Sequence, residues 1–112
     1  MASIGTRDEN HQHFWQVAEP YLASGVLVEG TMMGRQCLRA ASNGGFVATV
    51  ERSSGNLVVK LAKSRVAALI ESGEGLAFAP ARRVFSEWVA VATWDERRWS
   101  ELIEESLEFV GR

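Results

Sequence analysis

Residues 26–61 read VLVEGTMMGRQCLRAASNGGFVATVERSSGNLVVKL, and this stretch decides the fold. Apolar and β-branched residues accumulate between three turn signals, at Gly34, at Asn43-Gly44-Gly45 and at Ser53-Ser54-Gly55-Asn56. Short apolar runs punctuated in this way predict a meander of four antiparallel strands. Asn43-Gly44 supplies residue types that tolerate positive φ in a tight hairpin. In the fourth run Leu57, Val59 and Leu61 share one face and Val58 with Lys60 the other. One face is therefore expected to meet the core and the other partly to meet water.

Upstream of the meander, Phe14, Val17, Ala18, Tyr21 and Leu22 recur at helical spacing behind an acidic start at Asp8-Glu9. They predict an amphipathic first helix. Pro20 falls late in it, so a kink, or an end near Glu19, is expected there. Residues 1–7 show no periodicity and are expected to be disordered.

Downstream, Val66, Leu69 and Ile70 mark a short helix closed by Gly73, a residue that adopts the left-handed conformation without a Cβ penalty. Residues 74–83 read as irregular, with Pro80 holding Ala79 extended and removing an amide donor. A strand is predicted over residues 85–92. Thr93-Trp94-Asp95-Glu96 fits a capping box in which the Thr93 hydroxyl would meet the Glu96 amide. The helix that follows buries a stripe of Trp99, Leu102, Ile103, Leu107 and Val110, with Arg97, Glu101, Glu104, Glu105 and Glu108 opposite as a solvated face. The order α-β-β-β-β-α-β-α is that of an α+β domain whose antiparallel sheet carries helices packed on one face. With 112 residues, 46% hydrophobic and 23% charged, the chain reads as a single globular domain over residues 1–112, and disordered and fibrous classes are excluded.

The net charge of −2 hides an asymmetry. Residues 35–83 carry eight Arg or Lys against three acidic residues, whereas residues 84–112 carry seven acidic against three basic. The cations Arg35, Arg39, Arg52, Lys60, Lys63, Arg65, Arg82 and Arg83 are scattered and alternate with apolar positions, as on the wet side of a half-buried sheet. A nucleic-acid footprint needs a dense basic stripe, so direct nucleic-acid binding is not expected. A single Cys37 excludes internal disulfides and cysteine-based metal sites, and it reads as a small buried hydrophobe in a reducing compartment. No apolar signal core opens the chain and no run reaches the ~18 apolar residues of a membrane span, so a cytoplasmic protein without membrane attachment is expected.

The catalytic inventory is thin. His11 and His13 are two apart on a helix, point in different directions and cannot form an i, i+4 ligand pair, so they read as exposed helix surface. The ten glycines show neither P-loop nor dinucleotide spacing. Ser42 and Ser53-Ser54 have no histidine close in sequence. Four tryptophans are many for this length. Trp88 and Trp99 fall on predicted core positions, whereas Trp15 lies beside the apolar stripe of the first helix and Trp94 stands in a cap. Trp15 and Trp94 are therefore the candidate interaction surface. No catalytic residue, cofactor site or metal site is assigned.

Three blocks in fixed order carry a family resemblance: Thr31-Met32-Met33-Gly34, then Asn56-Leu57-Val58-Val59-Lys60-Leu61, then Phe78-Ala79-Pro80 leading into Glu87-Trp88-Val89. With the final helix they resemble the TfoX N-terminal-like domain, from Gly30 to Val110. That family enters its meander through a Met-Phe-Gly-Gly motif, which stands here as Met32-Met33-Gly34-Arg35. Phe78-Ala79-Pro80, Arg83-Val84-Phe85 and Glu87-Trp88-Val89 are similar to the short stand-alone branch common in actinobacteria. The resemblance implies a small α+β fold similar to type III secretion chaperones, and no enzyme. The full-length regulators of that family act in transcription with a cyclic-AMP receptor protein and carry a second domain, which residues 1–112 do not include. The resulting expectation is a non-catalytic protein-interaction module that acts in transcription through protein contacts, with a protein partner and a homodimer as its assemblies. The alternative is small-ligand or nucleic-acid binding through the basic middle segment.

Overall fold

The computed structural model describes residues 7–32 and 34–111. The meander forms as four strands, β1 (Leu27–Met32), β2 (Arg35–Ala40), β3 (Phe46–Val50) and β4 (Leu57–Lys60). At the β2–β3 hairpin Gly44 takes φ 72°, a conformation that costs a residue with a Cβ. Its amide donates to the Ala40 carbonyl at 2.8 Å, while the Asn43 side-chain oxygen accepts from the Gly45 amide at 2.8 Å. Helix α1 (Arg7–Ser24) precedes the meander; α2 (Lys63–Glu71), β5 (Leu76–Ala77), β6 (Trp88–Val91) and α3 (Glu96–Val110) follow it. The strands form one antiparallel sheet in the order β1-β2-β3-β4-β6-β5. This is the expected α+β order, with β5 as an additional two-residue edge strand inside the segment read as irregular.

All three helices contribute to a core on one face of the sheet. Phe14, Val17 and Ala18 of α1, Val66 and Leu69 of α2, and Trp99, Leu102 and Ile103 of α3 pack with Leu27, Leu38, Leu57, Val59, Val89 and Val91. Ser106 is buried within this packing, and its hydroxyl donates to the Val47 carbonyl at 2.9 Å, which removes the cost of an unpaired polar group. The β2–β3 register shifts so that Leu38 faces Ala48 but Arg39 faces Phe46, leaving Val47 as an extra residue. Val47 and Ala48 both join the helix-side core, and Phe46 goes to the opposite face.

That opposite face departs from the expected half-solvated surface. Val58 is fully buried, in a second cluster with Phe78 and Ala90 against which Phe85 and Trp88 pack. Phe46 stacks on Trp88 at 4.5 Å and Phe85 on Trp88 at 4.9 Å, the offset ring arrangement that aromatic quadrupoles favour. Periodicity within β4 cannot reveal this cover, because it comes from a segment about twenty residues later.

Other expectations are corrected locally. Helix α1 does not stop near Glu19 but runs through Pro20 to Ser24. Pro20 is exposed, and burial of Val17 and Ala18 before it, with Tyr21 and Leu22 packed on the core after it, outweighs the lost helix bond. The last helix starts on Asp95, not Thr93: the Asp95 carboxylate accepts from the Arg98 amide at 3.0 Å, while the Thr93 carbonyl accepts from the Trp99 indole at 2.9 Å. The strand expected over 85–92 shortens to Trp88–Val91, and Ile70 stays 39% exposed on α2. The disordered start expected over residues 1–7 lies outside the described residues, apart from Arg7, which already opens α1. Met33 of the first family block also lies outside them.

Candidate functional site

Pro80–Arg82 forms a single 3-10 turn, and Arg82 at its end takes φ 67°, a left-handed conformation uncommon for a residue with a Cβ. After this reversal the Phe85 amide donates to the Phe78 carbonyl at 3.1 Å and the Phe85 ring packs on the second cluster, while Val84 beside it faces solvent. Val84 is 65% exposed, Leu76 50% and Ile70 39%. Between α2 and residues 84–88 lies a groove of about 190 Å³ walled by Ala67, Ile70, Ala77, Val84, Phe85 and Trp88. Its polar lining is limited to Lys63 and Ser86. An adjoining depression brings Lys60 and Arg83 beside Phe85 and Glu87, and the Arg83 guanidinium lies 5.7 Å from the Phe85 ring centre. The result is an apolar channel bordered by basic side chains.

The tryptophans named as a possible surface are partly withdrawn from solvent. Trp15 is half-buried on the main core and meets Phe14 edge-on at 5.0 Å. Trp94 stacks on His13 at 4.0 Å and meets Trp99 edge-on at 5.0 Å. Trp99 is fully buried as expected, whereas Trp88 is half-buried in the second cluster, on the face away from the helices. His11 and His13 are half-buried, not free helix surface, and His11 Nε2 and His13 Nδ1 are shielded without hydrogen-bond partners among the described residues. Cys37 is buried, and that burial pushes its thiol up against the opposing pull of Arg39, which leaves it a poor nucleophile.

The acidic face of α3 is not simply solvated. Arg65 grips Glu105 with two hydrogen bonds of 2.6 and 3.0 Å, joining α2 to α3. Arg98 grips Glu74 at 2.5 and 3.0 Å, joining α3 to the segment after α2. The Arg98 hydrogen bonds hold the Glu74 carboxyl below the usual carboxylate range, with burial acting the other way. The Tyr21 hydroxyl donates to Glu104 at 2.9 Å and lies 2.6 Å from the Ser100 hydroxyl; burial is the main cause of its raised pKa. These pairs fasten helices. Among the described residues no group of three or more His, Cys, Asp or Glu side chains is placed to hold a metal ion.

The walls of the groove come from three separated segments, so no local pattern along the chain announces it. The signal available was Val84, an apolar residue between Arg83 and Phe85. No helix among the described residues is long and apolar enough to cross a membrane. No family model, no characterised protein and no solved structure matches this chain.

Proposed function

We propose that this protein is a non-catalytic protein-interaction module that receives a partner segment in the groove between α2 and residues 84–88. The observation that carries the reading is the exposure of Ile70 and Val84 on either side of an apolar channel, in a domain whose other large apolar side chains are mostly buried. Exposed apolar surface costs solubility and is retained where a partner covers it. The rim cations Lys60, Lys63 and Arg83 select a segment that carries acidic residues beside its apolar anchors. The TfoX-like blocks support the same reading, since Phe78, Phe85 and Trp88 of those blocks build the platform behind the groove. Transcriptional co-regulation through protein contacts, in the cytoplasm, is the biological role this reading carries.

The test is affinity capture with wild type and Val84→Asp, with nuclease present throughout. Val84 is too exposed for the substitution to disturb the fold, so a specific partner should be retained by wild type and lost by the variant. Equal retention by both would reject the groove as the docking site. A second reading, the homodimer, is favoured by the six-residue edge strand β1, which shows Val28 43% exposed. Light scattering that gives a monomer at high concentration would remove it.

A further inference from the structure

A second cavity, built from different residues, opens where α1 crosses the ends of β2 and β3. It encloses about 210 Å³. His11 and Trp15 descend from α1, Arg35 and Gln36 open β2, Val50 closes β3, and Arg52 stands in the following turn. Two guanidinium groups and an imidazole thus border one small space, and no carboxylate lines it. Neither Arg35 nor Arg52 forms an ion pair or a side-chain hydrogen bond with any described residue, in contrast to Arg65 and Arg98, which are both gripped by carboxylates. His11 Nε2 is likewise without a partner. Among the described residues, the arginines that join helices have acidic partners and these two have none.

From this arrangement we infer that the cavity binds a small phosphorylated molecule. Guanidinium groups match phosphate oxygens through paired N–H donors, and two of them offset the double charge of a phosphate monoester, which a singly charged carboxylate would not require. Gln36 adds a side-chain amide donor, and Trp15 supplies an aromatic wall for the organic part of the ligand. The volume lies below the roughly 300–1,000 Å³ of sites for drug-sized ligands, so the pocket takes one phosphate and a short organic body. It does not suit the extended backbone of a nucleic acid. The inference is independent of the groove at Val84 and stands if that reading fails.

The experiment is a titration of the ¹⁵N-labelled protein with inorganic phosphate and with phenyl phosphate, read by amide and indole chemical shifts, with acetate as the carboxylate control. Saturable shifts at Gly34, Gln36 and the Trp15 indole are expected, with a Kd of about 1 mM or tighter for phenyl phosphate. In the Arg35→Gln/Arg52→Gln double variant the affinity should fall at least about tenfold. Both arginines are exposed, so the variant should melt at the wild-type temperature, and Val84→Asp should bind phosphate like wild type. Shifts that do not saturate by about 20 mM, persist unchanged in the double variant, or appear equally with acetate would overturn the proposal.

Discussion

Arg98 and Glu74, 24 residues apart in sequence, form a two-pronged ion pair at 2.5 and 3.0 Å that joins the first turn of α3 to the short segment between α2 and β5. Arg98 reaches Glu101 as well, at 3.3 Å. The pair fixes the end of α2 that borders the apolar groove, so it bears on both stability and the shape of the proposed docking surface.

Its pH dependence has a definite sign. The folded-state pKa of Glu74 is lowered, chiefly by the Arg98 hydrogen bonds, so its contribution is fully present above the unfolded carboxyl value of about 4.3 and is lost as pH falls through the lower folded value. The side chains of Arg98 and Glu74 remain 35% and 32% exposed, so solvent screens the pair and Glu74→Gln should cost only about 1 kcal/mol near neutral pH. Denaturant unfolding from neutral to acidic pH should show the wild-type and variant stabilities converging at the acidic end. A constant difference down to the lowest pH would remove the carboxylate as its cause.

The start of α3 can be assigned by two alanine variants. Asp95→Ala removes the side chain that accepts from the Arg98 amide and should cost about 1 kcal/mol. Thr93→Ala keeps the carbonyl that accepts from the Trp99 indole and should stay within about 0.5 kcal/mol of wild type. The reverse ranking in thermal melts would restore the Thr93 capping box.

Trp99 is the largest fully buried side chain. Trp99→Ala leaves a large cavity beneath α1 and α3 and should cost roughly 3–5 kcal/mol, enough to unfold much of a marginal domain. Trp99→Phe retains most of the packing and should remain folded at a smaller cost. Urea midpoints that leave Trp99→Ala near wild type would show the α3 face to be misplaced.

Gly75 tests how tightly α2 closes on the sheet. A Cβ there would come within 2.5 Å of the Val89 side chain and 3.1 Å of Leu69 Cβ, so Gly75→Ala should destabilise by about 1–3 kcal/mol through overpacking. The companion Gly75→Ala/Val89→Ala variant opens room for the new methyl, and its stability loss should fall short of the sum of the two single changes. Strict additivity, or a neutral Gly75→Ala, would mean that this junction yields.

Local grammar is what these 112 residues carry in plain view. The four-strand meander, the helical stripes of Phe14 and Trp99, the hairpin at Asn43-Gly44 and the α+β order follow from side-chain period and backbone allowance, which act within a few residues and can be read along the chain. Trp99 was legible as core because its neighbours at three and four residues repeat its character. What lies on the second face of the sheet, which cations meet a carboxylate, and where apolar surface is left exposed all depend on the assembled fold. Val58 is buried by Phe78 and Trp88, Arg65 finds Glu105, and Arg35 meets Arg52 across a cavity, through approaches between segments that no local pattern encodes. Trp94, read as exposed from its place in a cap, is sheltered because His13 from the far end of the chain stacks on it at 4.0 Å. The physical reason is the same in each case: burial and ion pairing depend on which distant segments the fold brings together, whereas helix and strand periodicity depends on the chain alone.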